Sequence, residues 1–231
     1  MNTLAIDIGG SHLKATVLDD AAKPLAERVR VATPVGAPPA DYVALLQQLV
    51  APLPAYQRVA VGFPGFVRDG SVRTAPNLGH DGWRDFPLAQ ALAEALGKPV
   101  RVANDADVQG FGAIQGKGLE MVLTLGTGFG TALYQDGRLC PHLEIAHQPF
   151  RHGETYDEQL GEAARARVGD KKWRKRVRRA IANMQALTQC DRLFIGGGNA
   201  RQLRELPDGV QTIDNIAGLI GGIRLWQDAR P

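Results

Sequence analysis

Three glycine-rich turns follow strand-like apolar runs: Asp7-Ile8-Gly9-Gly10-Ser11-His12-Leu13-Lys14, Gly126-Thr127-Gly128-Phe129-Gly130 and Gly196-Gly197-Gly198-Asn199. A glycine turn exposes backbone N–H groups without side-chain obstruction, and such nests suit phosphate oxygens. At the first turn Asp7 is an acid able to hold Mg2+, directly or through water, while Ser11 and Lys14 can face phosphate. Thr127 supplies a hydroxyl donor at the second turn. The third is predicted to precede a helix, whose N-terminus attracts anions. Each turn taken alone reads first as a plain hairpin turn. None is a Walker A loop, and Gly126-x-Gly128-x-Gly130 has neither the spacing nor the following helix of a dinucleotide fingerprint. Together they favour a nucleotide or phosphoryl cleft.

A second set of residues has the chemistry of sugar recognition. Phe63-Pro64-Gly65 follows a buried strand, and Thr74-Ala75-Pro76-Asn77 lies in the loop beyond. Asn104-Asp105-Ala106-Asp107 ends another strand, and His142-Leu143-Glu144-Ile145-Ala146-His147 adds an acid and an imidazole. Amides, acids and imidazoles read sugar hydroxyls, and a carboxylate at a strand end can serve as a general base. Asn104-Asp105 also reads as the N-cap of a following helix, and His147 as a structural histidine. His12, His80 and His152 read as surface residues.

The elements that must position these residues come in two similar runs. Strands are expected over Thr3–Ile8, His12–Leu18, Pro24–Val31, Arg58–Phe63 and Val100–Val102, with helices over Asp41–Val50 and Leu88–Leu96. The order then restarts with strands Met121–Leu125 and Thr131–Tyr134 and a tight hairpin at Asp136-Gly137. Helical sequence runs from about Asp157 to Ala186, then a strand over Arg192–Ile195 and a terminal helix over Asn215–Trp226. Each half opens with an apolar strand, a glycine turn and a second strand, which indicates a structural duplication: two lobes of mixed sheet flanked by helices.

Composition narrows the class. The 231 residues are 44% hydrophobic and 22% charged, ordinary for a globular protein and long enough for two small lobes. No apolar stretch approaches the ~18–20 residues of a membrane span, and Met1–Gly10 lacks a signal-peptide pattern. Cys140 and Cys190 match neither CxxC nor zinc-finger spacing, so a reduced cytoplasmic protein is expected. The net charge is +3, yet Arg165–Arg179 holds nine basic residues against Asp170 and carries +8, leaving −5 for the rest. Trp173, Val177, Ala180, Ile181 and Met184 form an apolar stripe in that segment, so a helix with basic outer faces is expected. Those faces read either as solvated surface or as a path for a polyanion; nucleic acid is the weaker version, because only Trp173 offers a stacking ring.

The motifs Asp7-Ile8-Gly9-Gly10-Ser11, Phe63-Pro64-Gly65, Ala75-Pro76-Asn77, Asn104-Asp105-Ala106, Thr124-Leu125-Gly126-Thr127-Gly128-Phe129-Gly130, Glu144-Ile145-Ala146-His147 and Ile195-Gly196-Gly197-Gly198 occur in one order along the chain. In that order they resemble the ROK family of sugar kinases, and within it the polyphosphate/ATP-glucokinase branch. The resemblance implies an α/β fold of two actin-like, ribonuclease H-like lobes around a central cleft, here 1–104 with 215–231, and 105–214. It implies transfer of a phosphoryl group from ATP or polyphosphate to the 6-hydroxyl of glucose or a related hexose. The alternatives are a kinase for fructose, mannose or an N-acetyl amino sugar, and a non-catalytic sugar or nucleotide sensor on the same fold.

The resemblance also distributes roles. Asp105 would take the proton from the 6-hydroxyl and Asn104 would hold a neighbouring hydroxyl. Asn77, Glu144 and His147 would bind the sugar ring. Gly9, Gly10, Ser11, Lys14, Thr127 and Gly128 would surround the donor phosphates, with Asp7 near Mg2+, and Gly197 and Gly198 would lie against adenosine. Glu154 would either add a sugar contact or open the next helix. Long-chain polyphosphate is the polyanion implied for the basic helix, and a homodimer is the family expectation. Three departures stand out. Ala146 replaces the usual glycine, no cysteine-rich zinc loop follows His147, so no structural zinc is expected, and no DNA-binding segment precedes Thr3.

Overall fold

A computed structural model describes residues 1–213 and 217–227, which form two compact units, Met1–Val108 with Gly218–Pro231, and Gln109–Ala217. The first unit contains β1 (Thr3–Ile8), β2 (His12–Leu18), β3 (Val29–Ala32), α1 (Pro39–Val50), β4 (Arg58–Phe63), the short strands β5 (Val67–Arg68) and β6 (Ser71–Val72), α2 (Leu88–Leu96) and β7 (Val100–Asn104). The chain leaves it within α3 (Asp105–Ala113).

The sheet order is β3-β2-β1-β4-β7, with β1, β4 and β7 parallel and β2 and β3 antiparallel. Strand alternation divides the side chains between two faces. Leu4, Ile6 and Ile8 of β1 and Val59, Val61 and Phe63 of β4 join Tyr42 and Leu46 of α1 and Leu88 and Leu92 of α2 in one core. Trp83 is 1% exposed there, with its ring centroid 4.9 Å from Tyr42 and 5.1 Å from Phe63. On the other face, Ile223 packs with Leu18, Ala22 and Ala5. It belongs to α7 (Ala217–Arg224), which closes this sheet. The small residues Ala5 and Ala60 allow the approach, since a Cβ on Gly222 would sit 3.5 and 3.6 Å from theirs. Arg101 Nη1 then donates to Leu225 O at 2.8 Å, and Arg58 and Arg101 lie over the Trp226 ring.

The second unit contains β8 (Leu119–Leu125), β9 (Phe129–Gln135), β10 (Arg138–Leu139), β11 (Pro149–Arg151), β12 (Glu154–Thr155), α4 (Tyr156–Leu160), α5 (Glu162–Val168), α6 (Asp170–Thr188), β13 (Arg192–Gly196) and β14 (Val210–Thr212). Its sheet order, β10-β9-β8-β13-β14, repeats the plan of the first: an antiparallel trio, then parallel strands. Asp136 and Gly137 both adopt positive φ (50° and 79°), the geometry of a tight two-residue hairpin. The expected apolar stripe of α6 is its buried face, packed on Met121, Leu123, Leu193 and Ile195. Trp173 is fully buried and its indole N–H donates to Leu160 O at 2.8 Å, fixing the end of α4 to α6.

Three points differ from expectation. The strand placed at Pro24–Val31 is only Val29–Ala32, with a single bridge from Leu18 to Pro24 before it, because Ala22 and Pro24 belong to a turn closed by Asp19. The helical run from Asp157 is three helices, interrupted at Gly161 and at Gly169, where φ is +76°. β14, unexpected from the sequence, extends the sheet. Of the terminal helix, Asn215 and Ile216 lie outside the described residues.

Trp173 offers a direct test of the second core. Trp173→Ala should lower unfolding free energy by about 3–5 kcal/mol, and Trp173→Phe, which keeps a ring but orphans Leu160 O, by roughly 1–2 kcal/mol, both read from urea unfolding. Equal losses would show that ring volume is immaterial at this position.

Candidate active site

Parallel strands deliver their loops to one edge of a sheet, where ligands of open α/β folds bind. In the first unit, β1, β4 and β7 end in Gly9-Gly10, Pro64-Gly65 and Asp105 at that edge. Asp7 and Lys14 are opposite one another in the β1–β2 register, so their side chains share a face, and Lys14 Nζ donates to Asp7 Oδ2 at 3.1 Å. The pair is well exposed. Gly9 N–H donates to His12 O at 3.0 Å and Thr33 Oγ1 donates to Gly9 O at 2.6 Å. Gly9 therefore closes the hairpin, and its N–H is not offered to a phosphate as the sequence reading had it. Gly10 is partly buried and Ser11 exposed.

The Phe63-Pro64-Gly65 loop is built by close backbone packing. A Cβ at Gly65 would stand 2.1 Å from Thr74 O, so only glycine fits. Phe66 N–H donates to Thr74 Oγ1 at 3.1 Å, and Asn104 Nδ2 donates to Gly65 O at 3.1 Å. Asn104 Oδ1 accepts from Ala106 N–H at 2.8 Å. The amide thus opens α3 and clamps the loop at the same time. Asp105 is exposed beside it, its Cα 3.6 Å from the Cβ position of Gly62, and its Oδ1 shares the Ala106 N–H. Asn77 is exposed, with its Cβ 4.0 Å from that of a residue built at Gly10. The structure so links Asp7, Gly10, Lys14, Asn77, Asn104 and Asp105 along one sheet edge.

In the second unit the other two glycine turns pack against each other. Asn199 N–H donates to Leu125 O at 2.9 Å and Asn199 Nδ2 to Gly126 O at 3.1 Å. Gly197, at φ +84°, has its Cβ position 2.3 Å from Leu125 O, which makes it a packing glycine, whereas Gly198 faces open space. A three-residue 3-10 helix, Ala200–Gln202, follows instead of the expected α-helix, so no helix N-terminus serves this turn. Thr127 is exposed, and its carbonyl accepts from Glu162 N–H at 3.1 Å.

Asp157 enters the second turn from α4. Its Oδ1 accepts the Phe129 N–H at 2.7 Å and lies 2.1 Å from the Cβ position of Gly128. That carboxylate therefore takes a backbone donor of this turn, the Phe129 N–H, and crowds Gly128, which was expected to face phosphate. Its position was signalled only indirectly, by the Thr155-x-x-Glu158 capping box that starts α4: Glu158 N–H donates to Thr155 Oγ1 at 3.2 Å and Thr155 N–H to Glu158 Oε2 at 2.8 Å. These bonds from Thr155 hold the Glu158 carboxyl below the usual carboxylate range. Thr155, not Glu154, opens the helix.

Glu144 precedes the 3-10 turn Ile145–His147, which sets His147 Nε2 3.4 Å from Glu144 Oε2. His142 Nε2 stands 3.5 Å from Glu144 Oε1. Glu154 is engaged elsewhere, by Arg167 Nη2 at 3.2 Å and by the Gln159 side chain.

The basic segment is partly neutralised. Arg165 bonds Glu162 and Asp170, and also Asn199 Oδ1 at 2.9 Å, which ties it to the third turn. Its bond to Asp170 raises its pKa further. Arg174 pairs with Asp170 at 3.9 Å and Arg178 with Glu205 at 3.0 Å. Arg176 sits near Arg151 and Arg167; burial first, then those like charges, lower its pKa. Arg179 lies over the Phe150 ring, and Lys171, Lys172 and Lys175 are exposed. Among the described residues no helix is long and apolar enough to cross a membrane.

Known proteins are similar to this chain. The chain is 30% identical to the polyphosphate glucokinase of Mycobacterium tuberculosis (strain CDC 1551 / Oshkosh) over 94% of its length and 88% of that protein's. It is 35% identical to the N-acetylmannosamine kinase of Escherichia coli (strain SE11) over 60% of this chain and 49% of that one. The crystal structure of the inorganic polyphosphate/ATP-glucomannokinase from Arthrobacter sp. strain KM matches with a TM-score of 0.87 at 29% identity, over 98% of each chain. A sequence profile of the ROK family matches residues 3–144. The chain belongs to the ROK family, and its two five-stranded mixed sheets flanked by helices are the actin-like ATPase fold of the ROK sugar kinases.

Proposed function

We propose that the protein is a cytoplasmic sugar kinase that transfers a phosphoryl group from ATP or polyphosphate to the 6-hydroxyl of glucose or a related hexose. The observation that carries this reading is Asp105: an exposed carboxylate at the end of β7, fixed beside Asn104, whose amide is tied to Gly65 O and Ala106 N–H. A carboxylate exposed at a strand end in this way is available as a general base. The polyphosphate and ATP named for the mycobacterial and Arthrobacter relatives support the choice of donors.

We assign the roles as the family resemblance implies them. Asp105 accepts the proton of the sugar hydroxyl as its oxygen bonds to the terminal phosphorus, and the phosphorus–oxygen bond to the donor breaks. The products are the sugar phosphate and ADP, or polyphosphate shorter by one unit. Asn77, Glu144 and His147 hold the ring, and the spare hydrogen of the Asn104 amide reaches a neighbouring hydroxyl. Glu154, committed to Arg167 and Gln159, supports β12 in this reading.

Gly10, Ser11, Lys14 and Thr127 attend the donor phosphates, and Gly198 offers open surface to adenosine. Asp7 is a half-exposed hard oxygen donor at a strand end, which suits the single-carboxylate, water-rich coordination of Mg2+. Mg2+ bound there would neutralise phosphate charge; Lys14, now paired with Asp7, would turn to the phosphates. A polyanion would use the Arg176 and Arg179 side of the basic segment, because Arg165, Arg167, Arg174 and Arg178 are already paired. A homodimer is assigned on family grounds alone.

Three outcomes test this. Asp105→Asn should lower kcat by roughly 10²–10⁴-fold while calorimetric glucose binding stays within about twofold; full turnover in that variant would remove Asp105 as the base. With purified protein, glucose and mannose should be phosphorylated from ATP or long-chain polyphosphate, and N-acetylmannosamine more slowly; silence with every pair would overturn the kinase. The double variant Arg176→Gln/Arg179→Gln should raise KM for long-chain polyphosphate and flatten its salt dependence, by a slope of about one to two, with KM for ATP unmoved. An equal change for both donors would place the polyanion elsewhere.

A further inference from the structure

Glu144 sits between two imidazoles of unequal exposure. His147 is open to solvent, its side chain 46% exposed, and faces Oε2; His142 is 8% exposed and faces Oε1. Oε1 is buried and makes no hydrogen bond, an arrangement that costs free energy unless a charge or a donor stands close. His142 Nε2, at 3.5 Å, is such a group. Its backbone is held on both sides: Cys140 N–H donates to Leu133 O at 2.8 Å, and Thr131 Oγ1 donates to Leu143 O at 3.2 Å. Pro141 restricts the intervening φ. The ring lines a small cavity with Met121, Thr131, Leu133 and Ile145.

We propose that His142 is a positioning residue for the sugar site: it anchors the inner oxygen of Glu144, so that the outer oxygen is presented to a sugar hydroxyl. The inference rests on the reading of Glu144 as a sugar ligand. A carboxylate free to rotate would have to be immobilised during binding, whereas one pinned at Oε1 enters the complex already oriented. His142 touches no substrate in this scheme and acts through Glu144 only.

The test is steady-state kinetics with D-glucose as acceptor, and N-acetylmannosamine as a second acceptor, on His142→Ala, His142→Gln, Glu144→Ala and the double variant His142→Ala/Glu144→Ala. His142→Ala should raise the sugar KM about tenfold with kcat within about twofold, the signature of lost uniform binding, and leave the donor KM unchanged. His142→Gln, which keeps a side-chain N–H donor, should stay near the parent. The double variant should match Glu144→Ala alone, because residues acting through one contact are not additive.

A normal sugar KM in His142→Ala, or additive losses in the double variant, would overturn the role of His142 while Glu144 stands. A normal sugar KM in Glu144→Ala would overturn the sugar reading of Glu144 and His142 with it. If His142→Ala folds poorly, His142→Leu fills the same cavity, and the same KM rise is expected of it.

Discussion

Backbone pressed against backbone at the ends of parallel strands is the constraint from which the site follows. At position 65 a single methyl would reach within 2.1 Å of Thr74 O, and at position 197 within 2.3 Å of Leu125 O. Packing at that distance excludes side chains, so the loops that leave β4 and β13 turn immediately and stay at the sheet edge. Polar side chains then bond to the carbonyls so brought forward: Asn104 to Gly65 O, Asn199 to Gly126 O. Each unit spends an asparagine on holding its loops. Asp105 gains its fixed position as a by-product of that clamp.

The repeated topology gives the same solution twice with different chemistry. Both sheets pair three antiparallel strands with parallel ones, and both place glycine turns after the first strand. In the first unit the turn after β1 is flanked by an acid and a lysine; in the second, the turn after β8 receives Asp157 from a neighbouring helix. Acidic partners thus sit at both turns, one paired with a lysine and the other spent on a backbone N–H. Glu120, fully buried, does similar work at the entrance to β8, accepting the N–H groups of Gln115, Gly116 and Lys117.

Much of this was legible in the residues. A short continuous apolar run marked β4, three-and-four spacing marked the buried face of α6, and Asp136-Gly137 announced its hairpin, because each signal is local. The clamp of Asn104 was visible only as an N-cap; its second bond reaches Gly65, far back in the chain, and no spacing rule encodes that. Asp157 was missed for the same reason. The breaks at Gly161 and Gly169 were lost because charge and helix propensity dominate that stretch. Net charge likewise overstated the open basic surface: Glu162, Asp170 and Glu205 neutralise arginines from outside or from the start of the run.

The return of α7 to the first sheet has a consequence for how the chain is made. Leu18, Ala22 and Ala5 meet Ile223 only when the α7 segment, synthesised long after β1 and β2, has left the ribosome. Until then one face of the earliest-synthesised sheet lacks its cover, while the whole of the second sheet, from β8 to β14, already has its strands. Vectorial synthesis therefore favours completion of the later unit first, against the usual N-terminal-first order. The first unit is finished by a contact of long sequence separation, the kind that is slow to form and leaves apolar surface open meanwhile. A chain truncated before Ile223 would keep the residues of the proposed base and glycine turns yet lack the helix that closes the sheet beneath them.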